Sequence, residues 1–399
     1  MSTERKHAYI VLGLGYGDEG KGLTTDYLCL NSNNPLVVRF NGGHQAGHTV
    51  STLDGKTHVF CNLGAGSFRG VPTYWSNFCT FFPEGVLTEI SHLPITPSLI
   101  VDLLCPITTH YDILYNRAVE AFRSSDKHGS CGLGFGATLE RQTFKDLRFE
   151  VQDLASIRKV QTKLAAIRRY YRKKIHLETH FLFDDFDHDT ADGEFIDSII
   201  TLDELKKAGQ LRFASAKDVF GSECSWDTLI FEGAQGIMLD MDFGLYPNVT
   251  RSNTTSRNAL EIISRNIPSE IDIEIYYITR CYATRHGAGP FRESLELVLV
   301  NDTNESNVCN EHQGAFRKGY LDLANLNYAL ASDKSFSNDI PKSLVITCLD
   351  QLDGEEIKYY KNHNLEQTHF LDFPLLLDCD FEKYLVSRSP ISEKLLTIF

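Results

Sequence analysis

The 399-residue sequence predicts an α/β fold with a large, mostly parallel central sheet, flanking helices, and phosphate loops at the carboxyl ends of the strands. Three observations predict it. An apolar run within His7–Leu12 (AYIVL) passes into a glycine-dense turn at 13–22 and then into a helical pattern from Thr24 to Leu30. A second run, Leu36–Phe40 (LVVRF), leads into another glycine-rich loop, Asn41–Thr49. Three later runs, Asp227–Phe231, Glu274–Tyr282 and Lys342–Thr347, each deliver a loop rich in glycine and polar residues. Strand, loop and helix in that order form the repeating unit of a parallel sheet, whose loops gather at one edge.

Between these strands, residues 110–125 and 152–177 have helical spacing, and a third glycine-rich loop, Gly129–Gly136 (GSCGLGFG), separates them. The basic run Arg168–Lys174 reads as a solvated helix face, because an acidic stretch follows it. That stretch, Asp184–Glu194, reads as an acidic surface loop; it lacks the glycine placement and closing glutamate of a calcium loop. With no repeat, low-complexity segment or proline-rich linker, residues 1–399 are expected to form one large α/β domain with subdomain excursions.

Composition narrows the function. Hydrophobic residues make up 42% and charged residues 23%, as in a globular protein with a substantial core. A net charge of −14 opposes nonspecific association with nucleic acid or an anionic membrane, yet permits an anionic small molecule in a locally basic pocket. No run approaches the ~18 apolar residues of a membrane helix, and the first apolar run is too short for a signal peptide. The ten cysteines form no CxxC pair and no zinc-spaced cluster, which suits free thiols in the reducing cytoplasm.

The sharpest chemical signal is the first loop, Gly15-Tyr16-Gly17-Asp18-Glu19-Gly20-Lys21-Gly22. Gly15 to Lys21 has the GxxxxGK spacing in which backbone N–H groups curl round phosphate oxygens and a lysine adds a point charge. An ordinary P-loop continues with Ser or Thr to hold Mg²⁺; this chain has Gly22, and Asp18 offers the metal a carboxylate instead. The second loop, Asn41–Thr49, presents His44, Gln45, His48 and Thr49 on a glycine-rich turn one strand away, suited to a second set of phosphate oxygens.

These residues carry a family resemblance. GDEGKG at 17–22 and GGHQAGHT at 42–49 resemble the two N-terminal signatures of the adenylosuccinate synthetase family. Phe231–Ser256 (FEGAQGIMLDMDFGLYPNVTRSNTTS), Thr284–Phe291 (TRHGAGPF), Gly319–Asp322 (GYLD) and Thr347–Gly354 (TCLDQLDG) resemble further signatures in the family's order. The resemblance implies a two-stage ligase. The γ-phosphate of GTP passes to O6 of inosine monophosphate, and the amine of aspartate then displaces phosphate to give adenylosuccinate. It implies Asp18 and His48 as catalytic residues, with Asp18 and the Gly47 carbonyl on Mg²⁺. Gly17, Glu19, Gly20, Lys21, Gly22, Gly47 and Thr49 are implied on the nucleotide phosphates. Gln45, Ser130, Cys131, Lys145, Gln235 and Thr250 are implied at the monophosphate, Asp350 at the guanine, and Arg317 at the amine donor. Lys145, which in the family's pattern reaches the neighbouring subunit's substrate, implies a homodimer.

The chain also departs from the family's pattern. Cys131 replaces a threonine, and Lys145 replaces an arginine whose planar fork lysine lacks. The family's TTGRR-type stretch is here Glu311–Lys318 (EHQGAFRK), which retains only Arg317 and Lys318 as cations and adds Glu311. Cys348 stands where a lysine precedes the guanine-reading Asp350. Two other readings therefore stand beside the synthetase. One is a divergent relative that uses another amine, another purine monophosphate or ATP. The other is a non-catalytic nucleotide-binding regulator.

Overall fold

The computed structural model describes residues 5–123, 129–221, 225–267, 270–301 and 314–399. The chain opens with β1 (Lys6–Gly13), α1 (Lys21–Leu30) and β2 (Pro35–Arg39), followed by a hairpin of β3 (His48–Ser51) and β4 (Thr57–Phe60). Then come β5 (Thr73–Trp75), α2 (Pro83–Ser91), β6 (Leu99–Asp102), α3 (His110–Arg123), α4 (Phe135–Gln142), α5 (Ile157–Glu178), α6 (His188–Lys207) and β7 (Leu211–Ala214). The middle of the chain supplies α7 (Ala216–Phe220), β8 (Thr228–Gly236), α8 (Arg257–Asn266), β9 (Ile271–Arg280), β10 (Ala283–His286), β11 (Phe316–Gly319), β12 (Leu321–Asp322) and α9 (Leu323–Ser337). Last are β13 (Lys342–Thr347), β14 (Glu356–Lys361), β15 (Asn364–His369), β16 (Lys383–Val386) and β17 (Leu396–Thr397).

Ten of these strands form one sheet in the order β17-β16-β13-β9-β1-β8-β2-β5-β6-β7. Every pairing is parallel except the terminal β16–β17 pair. The expected α/β class, with a large and mostly parallel sheet, is what the chain adopts. All five sequence-predicted strands are present and lie side by side at the centre of the sheet.

Alternation along the central strands buries both faces, as a parallel sheet requires. Ala8, Ile10 and Leu12 of β1 join Leu36, Phe231, Ile275 and Leu344 in a cluster covered by α8 and α9. Val11 points the other way with Val37, Ile230, Ile278 and Val345, against Leu23 and Leu28 of α1. A third cluster packs α3, α5 and α6 at the β5–β7 end, with Tyr111, Ile167, Tyr171 and Phe195 inside it.

Two local readings change. The helix expected from Thr24 begins at Lys21, so Lys21 and Gly22 belong to its first turn. The stretch expected to be an acidic surface loop instead starts a helix: Asp187 caps α6 by accepting from the Thr190 N–H, and Asp189 sits in the first turn. Acidic side chains favour that position because they satisfy the free N–H groups and face the positive end of the helix dipole. The basic face of α5 pairs with this segment, Arg168 with Asp189 at 3.1 Å and Arg172 with Asp184 at 2.8 Å.

Candidate functional site

The carboxyl ends of β1, β2, β8, β9 and β13 place the predicted loops along one edge of the sheet. The first loop leaves β1 and turns into α1 through two glycines of positive φ, Gly17 at 129° and Gly20 at 103°. Gly20 is also a close approach: a Cβ there would lie 2.9 Å from Thr347 Cγ2 at the end of β13. Inside the loop the Glu19 carboxylate accepts from the Gly15 and Gly17 N–H groups at 3.0 and 2.8 Å. Lys21 Nζ lies 2.8 Å from the same carboxylate and donates to the Gly17 carbonyl at 2.6 Å. The loop thus presents the donors of an anion nest, and its own glutamate engages them.

Gly22, where an ordinary P-loop carries a hydroxyl, has a steric reason to be glycine. A Cβ there would lie 2.8 Å from the Thr49 carbonyl oxygen and 3.1 Å from His48 Cβ. The second loop is packed onto the first turn of α1, so the two glycine-rich loops share one contact surface.

His48 is buried, its Nδ1 donating to the Glu232 carboxylate at 2.7 Å and its Nε2 buried without a partner. Burial pushes the His48 pKa down, opposed by Glu232. Burial pushes Glu232 up, but His48, then Arg39 and the Ala65 N–H, outweigh it and hold the carboxylate below its ordinary range. Asp18 moves up because burial disfavours its charge, while His286, 3.4 Å away, and Arg280 oppose that rise. His44 is buried with neither ring nitrogen partnered, and burial lowers it to about 4, so its ring is neutral at pH 7.

Unpartnered buried polar atoms gather around the second loop. Both amide atoms of Gln45, both nitrogens of His44, His48 Nε2, Thr80 Oγ1 and Gln235 Oε1 lack hydrogen bonds. Such groups cost free energy unless a ligand or water satisfies them. Gln235 also adopts φ 65°, a left-handed backbone that glutamine rarely takes, with its Cα close to Gly17. A strained, conformationally fixed polar residue against the first loop is a mark of a functional position.

The remaining sequence-predicted residues fall into three groups. Gly47 is exposed at the tip of the second loop, and Thr49 follows it in β3. The third loop packs against Gly287 and Ala288 at Gly129, and its helix α4 touches Arg251, which follows Thr250 in the chain. Ser130 Oγ donates to Asn116 at 2.9 Å and accepts from the Gly132 N–H, while burial raises the Cys131 thiol to about 11. Asp350 follows β13, its carbonyl held by Asn301 at 3.0 Å. Lys145 stands exposed after α4, apart from these loops in the chain. Arg317 donates through Nη2 to the carbonyls of Gly287 and Gly289 at 2.5 and 3.0 Å and lies over the Phe291 ring, while its buried Nε has no partner. Glu311 lies outside the described residues.

Sequence reasoning missed Glu232, Arg39, Thr80 and His286 as neighbours of the site. For Glu232 a signal existed, since it directly follows the expected strand Asp227–Phe231, inside a quoted motif. Asp18 and the Gly47 carbonyl would offer a Mg²⁺ ion hard oxygen donors, the rest of its shell typically coming from substrate phosphates and water. Among the described residues no three His, Cys, Asp or Glu side chains gather to hold an ion by themselves.

A parallel sheet whose edge joins a glycine–lysine loop to a histidine-bearing loop over one helix start defines a nucleotide-handling α/β protein. The adenylosuccinate synthetase family model matches residues 10–385, and the chain belongs to that family, whose members are ligases of purine biosynthesis. The adenylosuccinate synthetase of Pseudomonas syringae pv. syringae (strain B728a) is 31% identical over 403 residues, covering 97% of this chain and 86% of the relative. That of Marinobacter nauticus is 31% identical over 375 residues, covering 90% and 81%. Among solved structures, fully ligated adenylosuccinate synthetase from Plasmodium falciparum superposes with a TM-score of 0.76 at 20% identity, covering 97% of this chain and 98% of the other. The succinoaminodeoxyadenylate synthetase of cyanophage S-2L, bound to dGMP and to dATP as energy donor, gives 0.63 at 14% identity, covering 98% and 95%. At these identities both structures establish the fold alone. No described helix is long and apolar enough to cross a membrane.

Proposed function

We propose that the protein is a Mg²⁺- and GTP-dependent ligase that makes adenylosuccinate from inosine monophosphate and aspartate. The observation that supports this reading is the contact of the two loops at Gly22, which packs His48 and Thr49 against the helix start that directly follows the loop carrying Asp18. Asp18 would take the proton from N1 of the purine, so that O6 attacks the γ-phosphorus and GDP leaves. His48 Nε2 would hydrogen-bond the transferring phosphoryl group. Glycine N–H groups and Lys21 would hold the nucleotide phosphates, displacing the Glu19 carboxylate. When bound, Mg²⁺ would neutralise phosphate charge from Asp18 and the Gly47 carbonyl. In the second stage the aspartate amine attacks C6 and phosphate leaves carrying O6. Each general-base or charge-stabilising role is worth ~10²–10⁴ in rate.

Gln45, Gln235 and Thr250, with Ser130 and Cys131, are proposed to line the monophosphate site, and Asp350 to read the guanine. Lys145, exposed on the surface, suits a homodimer in which it completes the partner's site. We read 1–399 as a single domain, because the ten-stranded sheet draws on residues from 6 to 397.

A second reading is favoured by Arg317. Its Nη2 is spent on the Gly287 and Gly289 carbonyls, which removes one prong of the fork that would clamp a carboxylate. A relative with another amine donor, another purine monophosphate or ATP accommodates that. The discriminating experiment is phosphate release with Mg²⁺ across GTP or ATP, inosine or guanosine monophosphate, and aspartate present or absent. Release that needs GTP, inosine monophosphate and aspartate together supports the synthetase. Release that ignores aspartate, or needs another nucleotide, refutes it in favour of the divergent ligase.

A further inference from the structure

We infer that Glu232 is a positioning residue for His48, holding its ring with Nδ1 protonated and Nε2 facing the phosphoryl group. The inference rests on the proposed role of His48 and adds the residues that make that role available.

The geometry is specific. Glu232 sits at the middle of β8, opposite Arg39 of the neighbouring β2, and is fully buried. Its Oε1 lies 2.7 Å from His48 Nδ1. The Ala65 N–H, at the start of a short 3-10 helix, reaches both carboxylate oxygens at 3.3 Å. Arg39, at the end of β2 and also fully buried, balances the charge from 3.8 Å. Its Nε and Nη1 make no hydrogen bond, and its guanidinium lies over the Trp75 ring.

A plain structural ion pair is the competing account, and the distances oppose it. A buried pair is costly to desolvate and repays that cost only with tight, fully hydrogen-bonded geometry. Here Arg39 and Glu232 are 3.8 Å apart, whereas Glu232 and His48 are 2.7 Å apart. The short contact is spent on the histidine. A carboxylate on Nδ1 accepts from that N–H whether the imidazole is neutral or charged. The contact therefore fixes the ring with Nε2 turned away from Glu232 and free of protein partners, the logic by which a buried carboxylate orients a catalytic histidine.

Two measurements test this. In the first, Glu232→Gln should lower kcat by about 10²–10⁴-fold while KM for both nucleotides stays within about threefold. In a His48→Ala background the same change should cost almost nothing further, because the two residues act as one unit. A Glu232→Gln enzyme that keeps kcat within about twofold, or losses that multiply in the double variant, overturns the inference. The second uses the wild-type chain and needs no turnover: ¹⁵N NMR of the His48 ring. Protonation at Nδ1 is expected; a ring protonated at Nε2 alone overturns the inference even if Glu232→Gln fails to fold. Absence of ligase activity would refute the proposed function and leave the ring's protonation pattern to decide this one.

Discussion

Gly22→Ser separates two accounts of the first loop. By ordinary P-loop logic, serine here restores a metal-holding hydroxyl and should improve turnover. The structure predicts the reverse. The new Cβ would lie 2.8 Å from the Thr49 carbonyl oxygen, against 3.4 Å for the start of ordinary contact, so the second loop must retreat by 3.4 − 2.8 = 0.6 Å. His48 Cβ, 3.1 Å away, must move with it. A misplacement of ~1 Å can cost ~10²-fold in rate, so we expect a 10- to 10²-fold fall in kcat/KM, or ~1.4–2.7 kcal/mol of barrier. Stability should suffer less. Overpacking costs ~1–3 kcal/mol, and replacing a helical glycine by serine returns ~0.5 kcal/mol, so the melting temperature should drop by only a few degrees. The assay is steady-state phosphate release beside a thermal melt. Activity within twofold of wild type, or above it, would refute the idea that the two loops are locked together at this glycine.

Three further outcomes follow from the same geometry. Gln235→Gly should relieve the left-handed backbone at φ 65° and raise stability by up to about 1 kcal/mol, yet cut turnover; a variant that is both less stable and fully active contradicts it. His44 titrates near 4 in the folded chain against an ordinary 6.5, so its contribution is complete above about pH 6.5 and is lost as pH falls toward 4, at roughly 3 kcal/mol in all. Replacing it with Gln should flatten the denaturation midpoint against pH over that window, and an unchanged slope refutes the assignment. Glu19→Gln should weaken the internal anion's hold on the Gly15 and Gly17 N–H groups and on Lys21, tightening nucleoside triphosphate binding several-fold by calorimetry. Weaker binding would mean that Glu19 shapes the loop and is not displaced.

Much of the scaffold is legible in the sequence because parallel strands buried on both faces read as continuous apolar runs. All five such runs are strands. The strands β5, β6 and β7 are three or four residues long, too short to carry a pattern, and come to order only by joining the sheet edge. The acidic segment at 184–194 shows only its charge in the sequence, and its helix depends on a cap at Asp187 that charge alone does not reveal. Within the site, the glycine loops are local in sequence and so are visible. Glu232 meets His48 across 184 residues only because β8 lies beside β2, and His286 reaches Asp18 from another strand pair. Such contacts are properties of strand order, which no local motif encodes. Gly22 shows the converse: the sequence displays a missing hydroxyl, and only packing explains it.

The central claim is that O6 of the purine is transferred to phosphorus and leaves as the oxygen of the released phosphate. Turnover of inosine monophosphate labelled with ¹⁸O at O6, in the presence of GTP, Mg²⁺ and aspartate, tests it directly by mass spectrometry of the released phosphate. The account predicts one ¹⁸O in each phosphate released. Unlabelled phosphate, with the label left on the purine or lost to water, would contradict it.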